Sequence, residues 1–72
     1  MVSLLLGIVD INSASLKELK TLKGVGKVKA MAIVDFRKSH CFQNVNELTL
    51  VKGIGEKTLE KNRINLTTGA CK

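Results

Sequence analysis

The apolar positions of the chain fall into a repeated pattern of short helical stretches that are separated by glycines. A shift of 29 residues lays one half of the sequence on the other. The shift pairs Ser15 with Asn44, Glu18 with Glu47, Leu19 with Leu48, Leu22 with Val51, Lys23 with Lys52, Gly24 with Gly53, Val25 with Ile54 and Gly26 with Gly55. A fixed period of this kind indicates two copies of one supersecondary unit.

Each copy is predicted to begin with a short helix. The pairs Ser15 with Glu18 and Asn44 with Glu47 have the spacing of a helix N-cap, in which a side-chain oxygen accepts from an early N–H group. The apolar face that follows lasts about two turns before a glycine. Its residues are Leu16, Leu19 and Leu22 in the first copy and Val45, Leu48 and Val51 in the second. Gly24 and Gly53 are predicted to end these helices.

A second helix follows each Gly-x-Gly turn. Ala30, Ile33 and Val34 recur at helical spacing and predict a long helix from Lys27 to about Lys38. In the second copy the corresponding face carries Leu59 and then Asn62.

Because Asn62 stands where the first copy has Ile33, the fourth helix is predicted to be shorter or less buried. Its apolar role is expected to pass to Ile64 and Leu66. Phe42, between the copies, is predicted to fill the gap between the two helical pairs. The fold class is therefore all-α, a compact bundle of about four to five short helices.

The first residues of the chain are apolar but are not expected to span a membrane by themselves. Met1 to Val9 is much shorter than the ~20 residues that cross a bilayer, and it lacks the basic residues that open a signal peptide. It is either the remnant of a longer leader or anchor, or a segment that packs on the domain. The expected boundaries are residues 1–9 for this segment, 10–68 for the domain and 69–72 for a tail.

Charge favours a polyanionic partner, since twelve Lys and Arg against six Asp and Glu give a net charge of +6. Catalysis is not expected, because the acidic residues are scattered and the single histidine, His40, lies in a linker. Asp35 is predicted to form an ion pair with Lys38 or Lys29. No metal site or other cofactor is expected, as Cys41, Cys71 and His40 do not have ligand spacing. A disulfide between the two cysteines stays open.

The two Gly-x-Gly turns are the candidate phosphate-binding sites. Each leads into a helix whose first N–H groups lack intrahelical partners and suit phosphate oxygens. The side chains beside the turns are Lys23, Lys27 and Lys29 in the first copy and Lys52, Lys57 and Thr58 in the second. Glu56 weakens the case for phosphate binding at the second turn, because its carboxylate lies at the same helix start, although it can also interact with the helix dipole. With only Phe36 and Phe42 as aromatic residues, duplex backbone binding fits better than base stacking on a single strand.

The order of these motifs resembles the ComEA family of competence DNA receptors. The resemblance runs from about Val9 to Thr67 and rests on the Asp10-Ile11-Asn12 lead-in, the Gly24-Val25-Gly26 turn, Phe42 and the run Gly53-Ile54-Gly55-Glu56-Lys57-Thr58. It implies two helix-hairpin-helix motifs of the SAM-like type that bind double-stranded DNA non-specifically during transformation. Lys23 stands where the family usually has proline, and His40-Cys41 where it usually has Gly-Pro.

Carried over to this sequence, the resemblance implies DNA contacts at two hairpins. They are Gly24, Val25, Gly26 and Lys27 in the first and Gly53, Ile54, Gly55, Lys57 and Thr58 in the second. Double-stranded DNA and proteins of a DNA-uptake machinery are the expected partners, with no small-molecule substrate. The expected location is the periplasm or the outer side of a membrane, with the cytoplasm as the alternative. The alternative function is a DNA-binding or protein-interaction module of a DNA repair or transcription accessory protein.

Overall fold

Short helices from both copies pack around one apolar core in the computed structural model, which describes residues 8–69. In chain order the elements are strand β1 (Val9–Asp10), helix α1 (Leu16–Leu19), helix α2 (Lys27–Phe36), the 3-10 helix η1 (Val45–Leu50), helix α3 (Glu56–Asn62), the 3-10 helix η2 (Arg63–Asn65) and strand β2 (Leu66–Thr67). The two predicted helical pairs are therefore present, and α1 and α2 end earlier than the sequence pattern indicates.

The core draws apolar side chains from both copies and from the link between them. Phe42 is fully buried, as predicted, and its ring stacks on Phe36 with the ring centroids 5.3 Å apart. The first copy contributes Leu19, Leu22, Val25, Ala30 and Ile33, and the second Leu48, Val51, Ile54 and Leu59. Because neither helical pair is large enough to bury its own apolar face, the two copies stabilise each other through this shared core.

Helix α1 has the predicted N-cap but is shorter than predicted. Ser15 Oγ accepts from the Glu18 N–H at 3.1 Å, and the Ser15 N–H donates to Glu18 Oε1 at 3.0 Å. After Leu19 the backbone tightens into bonds of the 3-10 type, such as Leu22 N–H to Leu19 O. Leu16, which was predicted to lie on the apolar face, is 36% exposed.

The first helix of the second copy is η1, and Asn44 is its N-cap residue as predicted, but the expected side-chain hydrogen bond is absent. The Asn44 side chain makes no capping hydrogen bond. The tighter 3-10 winding lets the Glu47 N–H donate to the Asn44 main-chain oxygen at 3.2 Å, so the side chain is not needed. The Glu47 carboxylate instead accepts from the Gln43 N–H at 2.9 Å.

Helix α3 is shorter than α2, as predicted, but it is not less buried at Asn62. Asn62 is 1% exposed, so this polar side chain lies inside the fold. Leu66 is buried as expected, whereas Ile64 is 84% exposed and the role predicted for it is wrong. The 3-10 turn of η2 directs Ile64 to solvent before the chain enters β2.

A two-stranded parallel sheet corrects the all-α prediction. Val9 pairs with Leu66 and Asp10 with Thr67. The Ile11 N–H extends the ladder by donating to Thr67 O at 3.1 Å. Val9, which the sequence boundaries assign to the apolar N-terminal segment, is buried beside this ladder. Strands of two residues have no periodicity of their own, so pattern analysis cannot detect them.

Two polar side chains of the lead-in tie the sheet to the link and to the end of the described chain. Asn12 Oδ1 accepts from the Phe42 N–H and Asn12 Nδ2 donates to Phe42 O, both at 2.9 Å. Asp10 Oδ1 accepts from the N–H groups of Asn12 and Gly69, also at 2.9 Å. These bonds fix the linker that joins the two copies.

Candidate nucleic-acid interface

The two Gly-x-Gly hairpins have the same backbone hydrogen bonds. Val25 N–H donates to Leu22 O in the first hairpin, and Ile54 N–H donates to Val51 O in the second, both at 3.1 Å. The next helix then starts with the Ala30 N–H bonded to Gly26 O at 2.9 Å, and its counterpart Leu59 bonds Gly55 O at 3.1 Å. The internal repeat seen in the sequence is thus a structural repeat.

The two glycines of each hairpin have different tasks. Gly24 and Gly53 have φ values of +77° and +92°, in the region that favours glycine, so they make the turn. Gly26 and Gly55 have φ values of −94° and −104° and are the N-caps of α2 and α3, with no side-chain cap. A Cβ added at either of these positions would meet no described atom within 4 Å. The second glycines therefore leave open space in front of the helix starts.

Burial along the hairpins repeats position by position. Val25 and Ile54 are each 4% exposed, so at these two predicted contact residues only the main chain is available to a ligand. Lys23, Gly24, Gly26, Lys27, Lys52, Gly53, Gly55 and Lys57 are exposed. The equivalent residues Lys29 and Thr58 are half-buried. The buried residue pins the turn, and its neighbours face solvent.

The fold places the two hairpins side by side, because each helix start packs on the other copy's turn. A Cβ built on Gly24 would lie 3.8 Å from Thr58 Oγ1, and one built on Gly53 would lie 3.7 Å from Lys29 Cγ. Lys29 also donates from Nζ to Gly24 O at 3.4 Å. All twelve predicted site residues therefore belong to one pair of adjacent turns. Lys29 and Thr58 lie at the seam between them.

The carboxylates near these turns are mostly engaged elsewhere. Asp35 pairs with Lys38 at 3.8 Å, as the sequence indicated, rather than with Lys29. Glu60 pairs with Arg63 at 2.8 Å, and the guanidinium hydrogen bond holds the pKa of that carboxyl below its usual value. Among residues 8–69 no salt bridge involves the hairpin lysines, which are Lys23, Lys27, Lys29, Lys52 and Lys57. Their charges remain available to an anion.

One position makes the hairpins unequal in charge. The first residue of α2 is Lys27, whereas the equivalent first residue of α3 is Glu56. A carboxylate at a helix start interacts well with the helix dipole, but it also opposes a second anion there. The first hairpin is therefore the more cationic of the two.

Asn62 is buried beneath the first hairpin and bonds its backbone, which the sequence did not predict. Its Oδ1 accepts from the Lys23 N–H at 2.8 Å, and its Nδ2 donates to Lys23 O at 2.9 Å. Asn62 Nδ2 also donates a second hydrogen bond, to Thr58 O at 2.8 Å. The available signal was a polar residue on an otherwise apolar stripe, which implies a buried group with hydrogen-bond partners.

The described part of the chain offers few other sites. Residues 8–69 contain no group of three or more His, Cys, Asp or Glu that could hold a metal ion. Within the same range, every helix is too short or too polar for a membrane crossing. The disulfide left open by the sequence involves Cys71, which lies outside the described residues.

Residues 7–67 match the family described as helix-hairpin-helix motif. This chain belongs to the helix-hairpin-helix family. ComE operon protein 1 of Bacillus subtilis is 44% identical over 61 residues, which are 83% of this chain and 30% of that protein. This similarity confirms the resemblance to the ComEA family.

This helix-hairpin-helix chain is also similar to two further proteins, and it covers different shares of their lengths. An uncharacterized protein of Haemophilus influenzae is 49% identical over 57 residues, which are 76% of this chain and 51% of that protein. The human Endonuclease/exonuclease/phosphatase family domain-containing protein 1 is 37% identical over 59 residues, 81% of this chain and 10% of that protein. The chain thus spans about half of the Haemophilus influenzae protein and less than a third of the other two relatives.

Proposed function

We propose that this domain binds double-stranded DNA without reading its base sequence. The observation that carries the proposal is the pair of adjacent hairpins. Each has an open helix start at its second glycine, and lysines without salt bridges lie beside both. Membership of the helix-hairpin-helix family and the similarity to ComE operon protein 1 support DNA as the anion.

The hairpins suit phosphate rather than bases. The first N–H groups of a helix carry partial positive charge and have no intrahelical partner, so they bind phosphate oxygens. Main-chain donors make the same bond whatever the neighbouring base, so such contacts position the duplex without specifying its sequence. Lys23, Lys27, Lys52 and Lys57 add charge that strengthens binding at low salt. Val25 and Ile54 contribute through their main chain only.

A duplex fits this arrangement better than a single strand. Base stacking needs exposed aromatic faces, but Phe42 is fully buried and Phe36 stacks on it. Two equivalent hairpins, side by side, match the two backbones that border a minor groove. In this proposal each hairpin holds a phosphate of one strand.

The biological role that fits is DNA uptake during competence, in which the domain acts as a non-catalytic receptor in the periplasm or on the outer side of a membrane. Proteins of the uptake machinery would be its further partners. The second candidate is a module of a DNA repair or transcription accessory protein, located in the cytoplasm. An exposed apolar groove lined by Leu16, Val28 and Met31 favours protein interaction in that case.

The open space at the second glycines provides the test. Gly26→Leu combined with Gly55→Leu should leave the fold intact, because neither glycine has positive φ and neither Cβ meets a described atom. We expect duplex binding to fall at least tenfold, about 1.4 kcal/mol, as the leucines occupy the phosphate positions. Gln43→Leu, on the exposed linker, is the matched control and should bind like the unmodified protein. Unchanged affinity of the folded double variant would refute the proposed contacts.

A further inference from the structure

The amide of Asn62 is almost completely used in hydrogen bonding to the main chain. It bonds both the N–H and the carbonyl of Lys23, at 2.8 and 2.9 Å, and the carbonyl of Thr58 at 2.8 Å. An asparagine side chain has two donors and one carbonyl oxygen, so both of its donors are occupied. With 1% of its surface exposed, the side chain is shielded from competing water.

These bonds join the two motifs. Asn62 is the last residue of α3, in the second copy, whereas Lys23 immediately precedes the first hairpin. Thr58, one turn earlier in α3, lies beside the same hairpin, since a Cβ built on Gly24 would be 3.8 Å from its hydroxyl. One helix of the second copy therefore lies along the first hairpin and bonds its backbone at Lys23.

These Asn62 hydrogen bonds, which we call the clamp, have no counterpart between α2 and the second hairpin. The repeat places Ile33 where α3 has Asn62, and the Ile33 side chain is fully buried and has no hydrogen-bonding group. The second hairpin is therefore held by packing, including Lys29 against Gly53, while the first is held by directed hydrogen bonds as well. The more cationic hairpin is the one with the added constraint.

We propose that Asn62 is a positioning residue that fixes the first hairpin relative to the second, so that both engage one duplex at the same time. The proposal rests on the proposed function. Two contacts on one ligand bind together only when their spacing matches that of the ligand, and the effective concentration of the second contact falls when the spacing varies. Asn62 never touches DNA in this account. It acts through the Lys23 backbone.

The direct test is Asn62→Ile, which gives the second copy the residue that the first copy carries. We expect duplex affinity of the folded variant to fall at least about tenfold. The loss should be specific to the first hairpin. Adding Lys27→Ala should cost much less in the Asn62→Ile background than in the unmodified protein, whereas Lys57→Ala should keep its full effect.

Two controls separate positioning from general destabilisation. Ile33→Val, at the equivalent position of α2, removes a buried methyl group without touching the clamp and should leave affinity unchanged. Hydrogen exchange at the Lys23 amide should be slow in the unmodified protein and fast in Asn62→Ile. If Asn62→Ile does not fold, Asn62→Ala is measured in the same way, since it removes the bonds without placing a branched side chain among the carbonyls.

The outcomes distinguish the two proposals. Unchanged affinity in a folded Asn62 variant, or equal losses from Lys27→Ala and Lys57→Ala in that background, would overturn the positioning role. Failure of the unmodified protein to bind any duplex would overturn the proposed function and, with it, the role of Asn62 in DNA binding. In that event, slow exchange at Lys23 would still identify the clamp as a structural feature.

Discussion

Gly24 and Gly26 are two residues apart but are required for different physical reasons. Gly24 has positive φ, so its missing side chain serves the backbone conformation. Gly26 has a φ that any residue can adopt, so the absence of its side chain is not needed for the backbone conformation and instead leaves space for a ligand at the start of α2. Substitution at the first should lower stability, and substitution at the second should lower ligand binding. The same division holds for Gly53 and Gly55 in the second hairpin.

Lys27 and Lys38 allow charge and position to be separated. Lys27 begins α2 at the first hairpin, whereas Lys38 lies just beyond the other end of this ten-residue helix, about 15 Å away. We expect Lys27→Ala to weaken duplex binding several-fold and to reduce the slope of log affinity against log salt by about 1. Both variants lower the net charge equally, so titration of each over a range of salt concentrations isolates the effect of position. A similar loss from Lys38→Ala would indicate that overall charge, not the hairpin, drives binding.

The predictable elements are those with a periodic pattern and a strong stop signal. The 29-residue repeat, the Gly-x-Gly turns and α2 could all be read from the sequence, because apolar spacing and glycine placement are local properties. The cap of α1 could be predicted for the same reason, since both of its partners lie within one turn. The candidate hairpin residues followed directly from these elements.

The elements that were missed depend on contacts between distant parts of the chain. The strands β1 and β2 are two residues each and pair across most of the sequence. Asn62 was noticed as a departure from the apolar pattern, but its partner Lys23 lies 39 residues away and cannot be found from spacing.

The lead-in to the first motif should matter for stability. Asn12→Ala removes hydrogen bonds to the Phe42 N–H, the Phe42 carbonyl and the Gly69 carbonyl. We expect the free energy of unfolding to fall by about 2 kcal/mol, since buried groups lose a partner that water replaces poorly. Urea denaturation measures the change. Asn46→Ala, at an exposed position of η1, should cost less than about 0.5 kcal/mol. Equal losses in the two variants would contradict the role of Asn12 as a lock on the linker.

The domain combines a small shared core with hydrogen bonds from two polar side chains, which we call locks, between distant segments of the chain. Among residues 8–69, fourteen buried apolar residues come from the strands, both helical pairs and the link, so the two motifs share one core. The locks at Asn12 and Asn62 add directed hydrogen bonds between segments that are far apart in sequence. Two adjacent hairpins on a molecule of net charge +6 are consistent with the proposed backbone binding.

The proposed surface binds the duplex backbone and not the bases, and a titration with duplexes of unrelated sequence distinguishes the two. Two fluorescent duplexes of equal length and unrelated sequence, and one single strand, are titrated with the domain at low and moderate salt. We predict equal affinities for the two duplexes, weaker binding of the single strand, and a steep decrease with salt. A preference for one duplex sequence, or no duplex binding by the folded domain at low salt, would contradict the account.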